Sequence, residues 1–155
     1  MRAWLERFAH CIATGFGAGM ATKAPGTWGT LVGIPFVLVL QPLSVGLYWF
    51  FTGLIILLGV WACGVRGRDI GDSDHPSLVW DEVAGYVVTM GFAPVGWIWI
   101  AVGFGLFRLF DIWKPWPIYI VDRQVKSGWG TMLDDLMAAV YAGICLAAIV
   151  WLSGR

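Results

Sequence analysis

Two pairs of adjacent carboxylates, Asp81-Glu82 and Asp134-Asp135, each stand directly before a long stretch of sequence without charge. Carboxylates at the mouth of an apolar helix are costly unless they are paired or bind a cation. Oxygen ligands from separate helices are what a hard divalent cation such as Mg²⁺ prefers. We therefore predict Mg²⁺ as the cofactor, held by four ligands: Asp81, Glu82, Asp134 and Asp135.

Three of these acids, Asp81, Glu82 and Asp135, are also predicted to act in catalysis. A divalent cation polarises phosphoryl oxygens and lowers the pKa of a bound water, and Glu82 or Asp81 would serve as general base for that water. The nucleophile stays open between water and a carboxylate such as Asp81. The residue that protonates the leaving group is not assigned.

Basic residues in the same polar segments are predicted to neutralise a bound phosphate. Arg108, Lys114 and Arg123 are the main candidates, and Lys23 is a weaker one. Asp111 lies three residues after Arg108, so the two side chains share a helix face and Asp111 is expected to orient Arg108. Carboxylates for Mg²⁺ and cations for phosphate together suit a lipid phosphate monoester at a membrane surface.

A glycine-rich segment, residues 14–30, leads into an apolar stretch and includes Lys23. Backbone N–H groups at a helix start attract anions, and glycine lets a phosphate approach the backbone. The spacing is not that of a Walker loop. The alternative is tight helix packing with an N-cap at Thr27.

Two other phosphatase chemistries find no support in the sequence. A cysteine phosphatase needs an arginine six positions after its cysteine, and none of the three cysteines has one. A histidine-based lipid phosphatase needs two histidines near basic clusters. His10 and His75 are the only histidines, and His75, beside Pro76, is expected to be a cap or surface residue.

The elements that position these residues are predicted to be membrane helices. The 155 residues are 59% hydrophobic and 13% charged, against about 45–50% and about 25% in an average soluble domain. Ten Lys and Arg balance ten Asp and Glu, so no basic excess favours a nucleic-acid partner. The length suits one domain, residues 1–155. Charge is absent from three stretches: 24–65, 83–107 and 136–154.

The first stretch is predicted to turn at Gln41-Pro42, giving helices near 29–40 and 43–64, and the third is one span, 136–154. The stretch 83–107 is either one span or a hairpin broken at 93–96. The hairpin is favoured because it places three polar segments on one side: 1–28, 65–82 and 108–135. That side then carries nine of the ten Lys and Arg residues, which makes it cytoplasmic.

Two helix starts complete the prediction. Residues 1–16 are expected to form an interfacial or capping helix, with charges interleaved among aromatic and aliphatic side chains. Asp74 is a candidate N-cap with Pro76 in the first turn, which would place Asp81 and Glu82 one to two turns into the helix. The predicted fold is an all-α integral membrane bundle with short helical hairpins and a polar site facing the cytoplasm.

Over about residues 10–145, the chain resembles a known family, phosphatidylglycerophosphatase A. The resemblance rests on these motifs, in chain order: Thr14-Gly15-Phe16-Gly17-Ala18-Gly19, Ala24-Pro25-Gly26-Thr27-Trp28-Gly29-Thr30, Asp74-His75-Pro76-Ser77-Leu78-Val79-Trp80-Asp81-Glu82, Phe107-Arg108-Leu109-Phe110-Asp111-Ile112-Trp113-Lys114-Pro115-Trp116-Pro117-Ile118, and Gly130-Thr131-Met132-Leu133-Asp134-Asp135. It implies an all-helical fold, Mg²⁺ dependence, and hydrolysis of phosphatidylglycerophosphate to phosphatidylglycerol and phosphate at the bacterial inner membrane. Trp129 stands where the family usually has adjacent glycines, and Thr131 replaces a usual aliphatic residue.

Two alternatives stay open beside this function. One is a phosphatase for another membrane lipid phosphate, since nothing in the residues selects a glycerol head group. The other is a non-enzymatic transporter or scaffold, in which the carboxylates would be proton or cation sites. Acids at helix mouths rather than in mid-span favour surface chemistry. The oligomeric state is not predicted.

Overall fold

The computed structural model describes residues 2–72, 75–124 and 128–154 and is built of helices, with no strand in these ranges. A short 3-10 helix, Ala18–Met20, lies between the first two α-helices. The α-helices are α1 Arg2–Ala13, α2 Pro25–Leu40, α3 Val45–Ile70, α4 Trp80–Met90, α5 Trp97–Trp113, α6 Ile118–Gln124 and α7 Gly128–Leu152. This architecture confirms the all-α prediction.

Helix α4 lies at the centre of the bundle and packs against α2, α3, α5 and α7. Ten of its eleven residues are buried. Its polar side chains bond to neighbouring helices: the Tyr86 hydroxyl donates to the Ile100 carbonyl at 2.9 Å, and the Trp80 indole N–H donates to the Ile55 carbonyl at 3.0 Å. Buried donors need such acceptors, so these bonds fix how α4 sits among its neighbours.

The stretch 83–107 forms a hairpin, as favoured from the charge pattern, and the single-span alternative is wrong. Helix α4 ends at Met90 and α5 begins at Trp97, with turns and bends between them. The polar start of α4 and the polar end of α5 therefore lie at the same end of the bundle.

Helices α2 and α3 meet at the predicted turn, but both are longer than predicted. Helix α2 begins at Pro25 rather than 29, and its N-cap is Ala24 rather than Thr27. Proline suits a first helical position because its missing N–H would have no intrahelical acceptor there. Helix α3 continues past residue 64 to Ile70 and ends at Gly71, which has the left-handed φ of +77° that glycine adopts readily.

Three further boundaries differ from the prediction. Helix α1 ends at Ala13 rather than 16, and α7 begins at Gly128 rather than 136, so its acidic pair lies within the helix instead of at its mouth. Helix α4 begins at Trp80, and Pro76 lies in a turn before it. Asp81 and Glu82 are therefore in the first turn. The predicted N-cap, Asp74, lies outside the described residues.

Two helices are long and apolar enough to cross a membrane, Val45–Ile70 and Trp129–Leu152, among the residues that the structure describes. Helix α2 is apolar but shorter. Large apolar side chains point outward from these helices, including Phe50, Leu57 and Ile144. An extended exposed apolar surface of this kind indicates association with a membrane.

The contact of α4 with α5 and α7 depends on Gly85. A Cβ at this position would lie 2.6 Å from Cε2 of the buried Phe107 and 3.2 Å from the Asp135 carbonyl oxygen. Replacing Gly85 by alanine should therefore destabilise the bundle by about 1–3 kcal/mol, the usual cost of overpacking. Thermal unfolding in detergent measures this change.

Gly105→Ala is the matched control for this substitution. Gly105 also lies in a helix, α5, but no atom lies within 4 Å of the position a Cβ would take. Alanine has the higher helix propensity, so the control should unfold at the same temperature as the native protein or higher. Equal destabilisation by both substitutions would contradict the close packing at Gly85.

Candidate active site

The predicted polar segments meet at a cavity of about 350 Å³. Its walls are the starts of α2, α4 and α7, the end of α5, and the segment before α4. The lining residues are Ala24, Pro25, Gly26, His75, Pro76, Leu78, Asp81, Glu82, Arg108, Asp111, Ile112, Lys114, Thr131, Asp134 and Asp135. Segments far apart in the sequence thus build one polar site.

Three of the four predicted metal ligands converge in this cavity. One carboxylate oxygen of each of Asp81, Glu82 and Asp135 lies within 4.8 Å of the other two. Asp81 is 5% exposed and Asp135 is 4% exposed. Burial raises the pKa of Asp81 well above its usual value, and the negative charge of Glu82 adds to the shift. Burial also raises the pKa of Glu82. A buried group of like charges needs a bound cation or protons.

The oxygen atoms of this cluster fit a hard divalent cation. Within the described ranges, Glu82 Oε2 and Asp135 Oδ2 are buried and have no hydrogen-bond partner. An orphaned buried carboxylate oxygen is unfavourable by itself and becomes favourable as a metal ligand. An oxygen-only donor set suits Mg²⁺ or Ca²⁺ rather than a softer metal.

Asp134, the fourth predicted ligand, forms an ion pair with Lys114, with 2.5 Å between Nζ and Oδ2. Lys114 follows α5 as its C-cap and has a φ of +43°, a left-handed conformation that costs a non-glycine residue roughly 1–2 kcal/mol. The pair with Asp134 fixes the side chain of Lys114 at the cavity wall.

Arg108 links the acidic cluster to α5. Its Nη1 donates to Asp111 Oδ2, as their spacing predicted, and lies 4.0 Å from Glu82 Oε1. The guanidinium is mostly buried, so its charge is little screened by solvent. Arg108 is thus held beside the three carboxylates by Asp111.

Two predicted phosphate-binding residues do not line the cavity. Lys23 is exposed in the segment before α2, although the next three residues do line the cavity. Arg123 is exposed on α6, with its guanidinium carbon 5.8 Å from the centre of the Tyr119 ring. The structure thus brings Arg108 and Lys114 to the cavity and leaves Lys23 and Arg123 outside it.

Several lining residues were missing from the predicted site, and two of them, His75 and Gly26, bear on its chemistry. His75 was expected to be a cap or surface residue, but it lies on the cavity wall. Gly26 is in the first turn of α2, where a Cβ would overlap Glu82 Oε1 and lie 2.9 Å from Arg108 Nη1. A glycine directly after a proline at the start of an apolar stretch was the available signal, but it does not show which side chains approach.

The charges of the cavity restrict what it can bind. Five acidic side chains and two basic ones line it. A phosphate dianion would be repelled by this balance, whereas a divalent cation would be attracted. With a cation bound, Arg108 and Lys114 would face the remaining charge of a phosphate. The cavity is therefore suited to a cation and a phosphate together.

Comparison with known proteins agrees with this chemistry. A family model described as phosphatidylglycerophosphatase A matches residues 11–150. The protein named phosphatidylglycerophosphatase A of Haemophilus influenzae is 45% identical over 142 residues, which cover 90% of this chain and 87% of that protein. The protein of the same name from Escherichia coli is 42% identical over 147 residues, covering 94% and 83%. No solved structure matches the chain significantly.

Proposed function

Since the chain belongs to the phosphatidylglycerophosphatase A family, and is thus a phosphatase of phosphate monoesters, we propose that it hydrolyses phosphatidylglycerophosphate to phosphatidylglycerol and phosphate with Mg²⁺ as cofactor. The observation that carries this proposal is the cavity in which three oxygen-donor carboxylates lie beside two cations. The substrate is inferred from the family, and the type of reaction is inferred from the residues of the cavity.

Asp81, Glu82 and Asp135 are the residues that would hold the cation. A divalent cation supplies Lewis-acid chemistry there, since it withdraws charge from phosphoryl oxygens and makes water a better nucleophile at neutral pH. Glu82, with Oε2 lacking a hydrogen-bond partner within the described residues, is suited to accept a proton from the attacking water. That Asp134 is a fourth ligand stays a prediction, and its ion pair favours a role in placing Lys114.

Arg108 and Lys114 are proposed to bind the phosphate. The planar guanidinium of Arg108 offers donors in the geometry of phosphate oxygens, and Lys114 supplies a compact charge. Each is positioned by a carboxylate, Asp111 or Asp134, so little side-chain freedom remains to be lost on binding. Roles for Lys23 and Arg123 stay predictions, since neither lines the cavity.

The membrane setting follows from the same arrangement. Ile112 lines the cavity and is 72% exposed, so an apolar edge adjoins the polar site. A lipid phosphate suits this edge because its head group enters the cavity while its chains stay among apolar side chains. We place the site on the cytoplasmic side of the bacterial inner membrane in a multi-pass chain, from the positive charges of its polar segments. We further propose that residues 1–155 form one domain.

The first test is phosphate release from phosphatidylglycerophosphate by the purified protein in detergent. We expect release with Mg²⁺, loss of release in EDTA, and recovery when Mg²⁺ is added back in excess. Phosphatidic acid and a phosphorylated phosphatidylinositol, measured in parallel, test the substrate. Turnover should be highest with phosphatidylglycerophosphate.

Each other outcome has a definite meaning. Higher turnover with another lipid phosphate would contradict the proposed substrate but would still support a phosphatase reaction. Phosphate release that persists in EDTA would contradict the proposed dependence on a metal ion. No release from any of these lipids by a folded sample would favour the transporter or scaffold and make the carboxylates structural ion-pair partners.

A further inference from the structure

His75 lies on the cavity wall in the segment that leads into α4, and its ring is oriented by Ser77. The ring Nδ1 lies 2.8 Å from Ser77 Oγ and accepts the Ser77 backbone N–H at 3.2 Å. These bonds close a tight turn, in which the Leu78 N–H also donates to the His75 carbonyl at 2.9 Å. The imidazole is therefore held in one orientation at the edge of the site.

The contact with the backbone determines which ring nitrogen carries the proton. A backbone N–H can only donate, so Nδ1 must act as an acceptor. A neutral imidazole then carries its hydrogen on Nε2. Nε2 has no hydrogen-bond partner within residues 2–72, 75–124 and 128–154. His75, which lines the cavity, thus carries an available N–H donor on Nε2.

The two cationic donors of the cavity, unlike the neutral His75, are bound to carboxylates. Arg108 is bound to Asp111, and Lys114 is bound to Asp134. As cations they are best matched to the non-bridging phosphate oxygens, which carry most of the negative charge of the ground state. The ester oxygen gains charge only as its bond to phosphorus breaks. A neutral donor aimed at that oxygen stabilises the transition state more than the bound substrate.

We propose that His75 is a catalytic residue whose Nε2–H donates a hydrogen bond to the leaving ester oxygen of the lipid phosphate. This inference rests on the proposed phosphatase function. In the step, the oxygen of water bonds to phosphorus and the phosphorus–oxygen ester bond breaks, with its electron pair remaining on the alcohol oxygen. The attacking water gives one proton to Glu82, which passes it on to solvent, and the alcohol oxygen, stabilised by His75, takes one proton up from solvent. Water and phosphate ester thus give alcohol and phosphate.

Replacing His75 by asparagine or by glutamine distinguishes the roles of its two ring nitrogens. In His75→Asn the side-chain oxygen can replace Nδ1 as acceptor for Ser77, but the donor at the Nε2 position is lost. In His75→Gln the amide N–H can replace Nε2, but the acceptor near Ser77 is lost. We expect His75→Asn to lower kcat about 100-fold, the lower end of what one such donor contributes, and His75→Gln to recover part of it.

A substrate with a sulfur leaving atom tests where the donor acts. In phosphatidylglycerophosphate with the ester oxygen replaced by sulfur, the leaving thiolate is far less basic and needs no hydrogen bond. His75→Asn should then lose less than about 10-fold, compared with about 100-fold for the oxygen ester. The Kd for inorganic phosphate, measured with Mg²⁺ present, should be the same in His75→Asn and the native protein.

The results that would overturn the inference differ from those that would overturn the function. Failure of the native protein to release phosphate would remove the function itself. If the native protein is active, equal losses on both substrates or weaker phosphate binding in His75→Asn would place the hydrogen bond elsewhere. Activity and thermal stability that stay high in His75→Asn and fall in His75→Gln would show that His75 only closes the turn with Ser77.

Discussion

Replacement of Asp135 by asparagine is expected to abolish phosphate release while the chain stays folded. The substitution keeps the shape of the side chain and removes one of three converging carboxylates. Metal catalysis contributes several kcal/mol of transition-state stabilisation, and each 1.36 kcal/mol is tenfold in rate, so turnover should fall by roughly 10³-fold or more. Phosphate release at saturating Mg²⁺ measures the loss, and Asp81→Asn should behave in the same way.

Stability supplies a second measurement that does not depend on turnover. Bound Mg²⁺ should stabilise the native protein by about 2.7 kcal/mol at a concentration one hundred times its Kd, and much less in Asp135→Asn. Without metal, Asp135→Asn should unfold at the same temperature as the native protein or higher, because it removes one charge from a buried group of like charges. Unfolding in EDTA and in Mg²⁺ gives both values.

Asp69→Asn is the matched control for this experiment. Asp69 is an exposed carboxylate outside the cavity that bonds to His10 at 2.6 Å. Its replacement should leave both turnover and the Mg²⁺ effect nearly unchanged. Near-normal turnover in Asp135→Asn, or an equal loss in Asp69→Asn, would remove Asp135 from the site.

Much of the bundle could be predicted because charge is distributed so unevenly along the chain. Long stretches without charge must be buried or lipid-facing helices, and grouping the polar segments on one side required the break between Met90 and Trp97. That requirement selected the hairpin, which the structure has. The acidic pairs were prominent for the same reason, since carboxylates beside apolar helices need an explanation.

The start of α4 could not be predicted because a contact from a distant segment determines it. Asp74 and Pro76 are typical of a helix start, but the backbone N–H of Val79 donates to the carbonyl of Ala13 at 2.9 Å. That bond holds the segment against α1, and the helix therefore begins only at Trp80. Because the helix begins so late, His75 lies in the turn at the cavity, where the sequence alone gave no reason to expect it.

The individual roles within the acidic pairs depend on helix geometry. Successive residues of a helix point about 100° apart, so neighbours in α7 need not face the same partner. Asp135 faces the cluster and Asp134 bonds to Lys114. The position of the Lys23 side chain could not be predicted for a simpler reason. Nearness in sequence to a cavity residue does not determine where a long side chain points.

Gly26→Ala is expected to lower turnover at least about 100-fold, although it adds only one methyl group. The new Cβ would overlap Glu82 Oε1 and lie 2.9 Å from Arg108 Nη1 and 3.1 Å from Nη2. One or both side chains must move, and a displacement of about 1 Å can cost 10²-fold in rate. Because Arg108 is held by Asp111 and Glu82 lies in the buried cluster, neither can move without breaking the arrangement of the site. Steady-state kinetics of phosphate release measures the effect.

Thermal stability and a control substitution separate this effect from simple misfolding. Alanine is favoured over glycine in a helix by about 1 kcal/mol, so the fold of α2 should tolerate Gly26→Ala, while Mg²⁺ should stabilise the variant less than the native protein. Gly53→Ala, in α3, places its Cβ where no atom lies within 4 Å and should leave turnover unchanged. Full activity in Gly26→Ala would mean that Glu82 and Arg108 have room to move. The close approach of α2 would then be a packing contact without a part in catalysis.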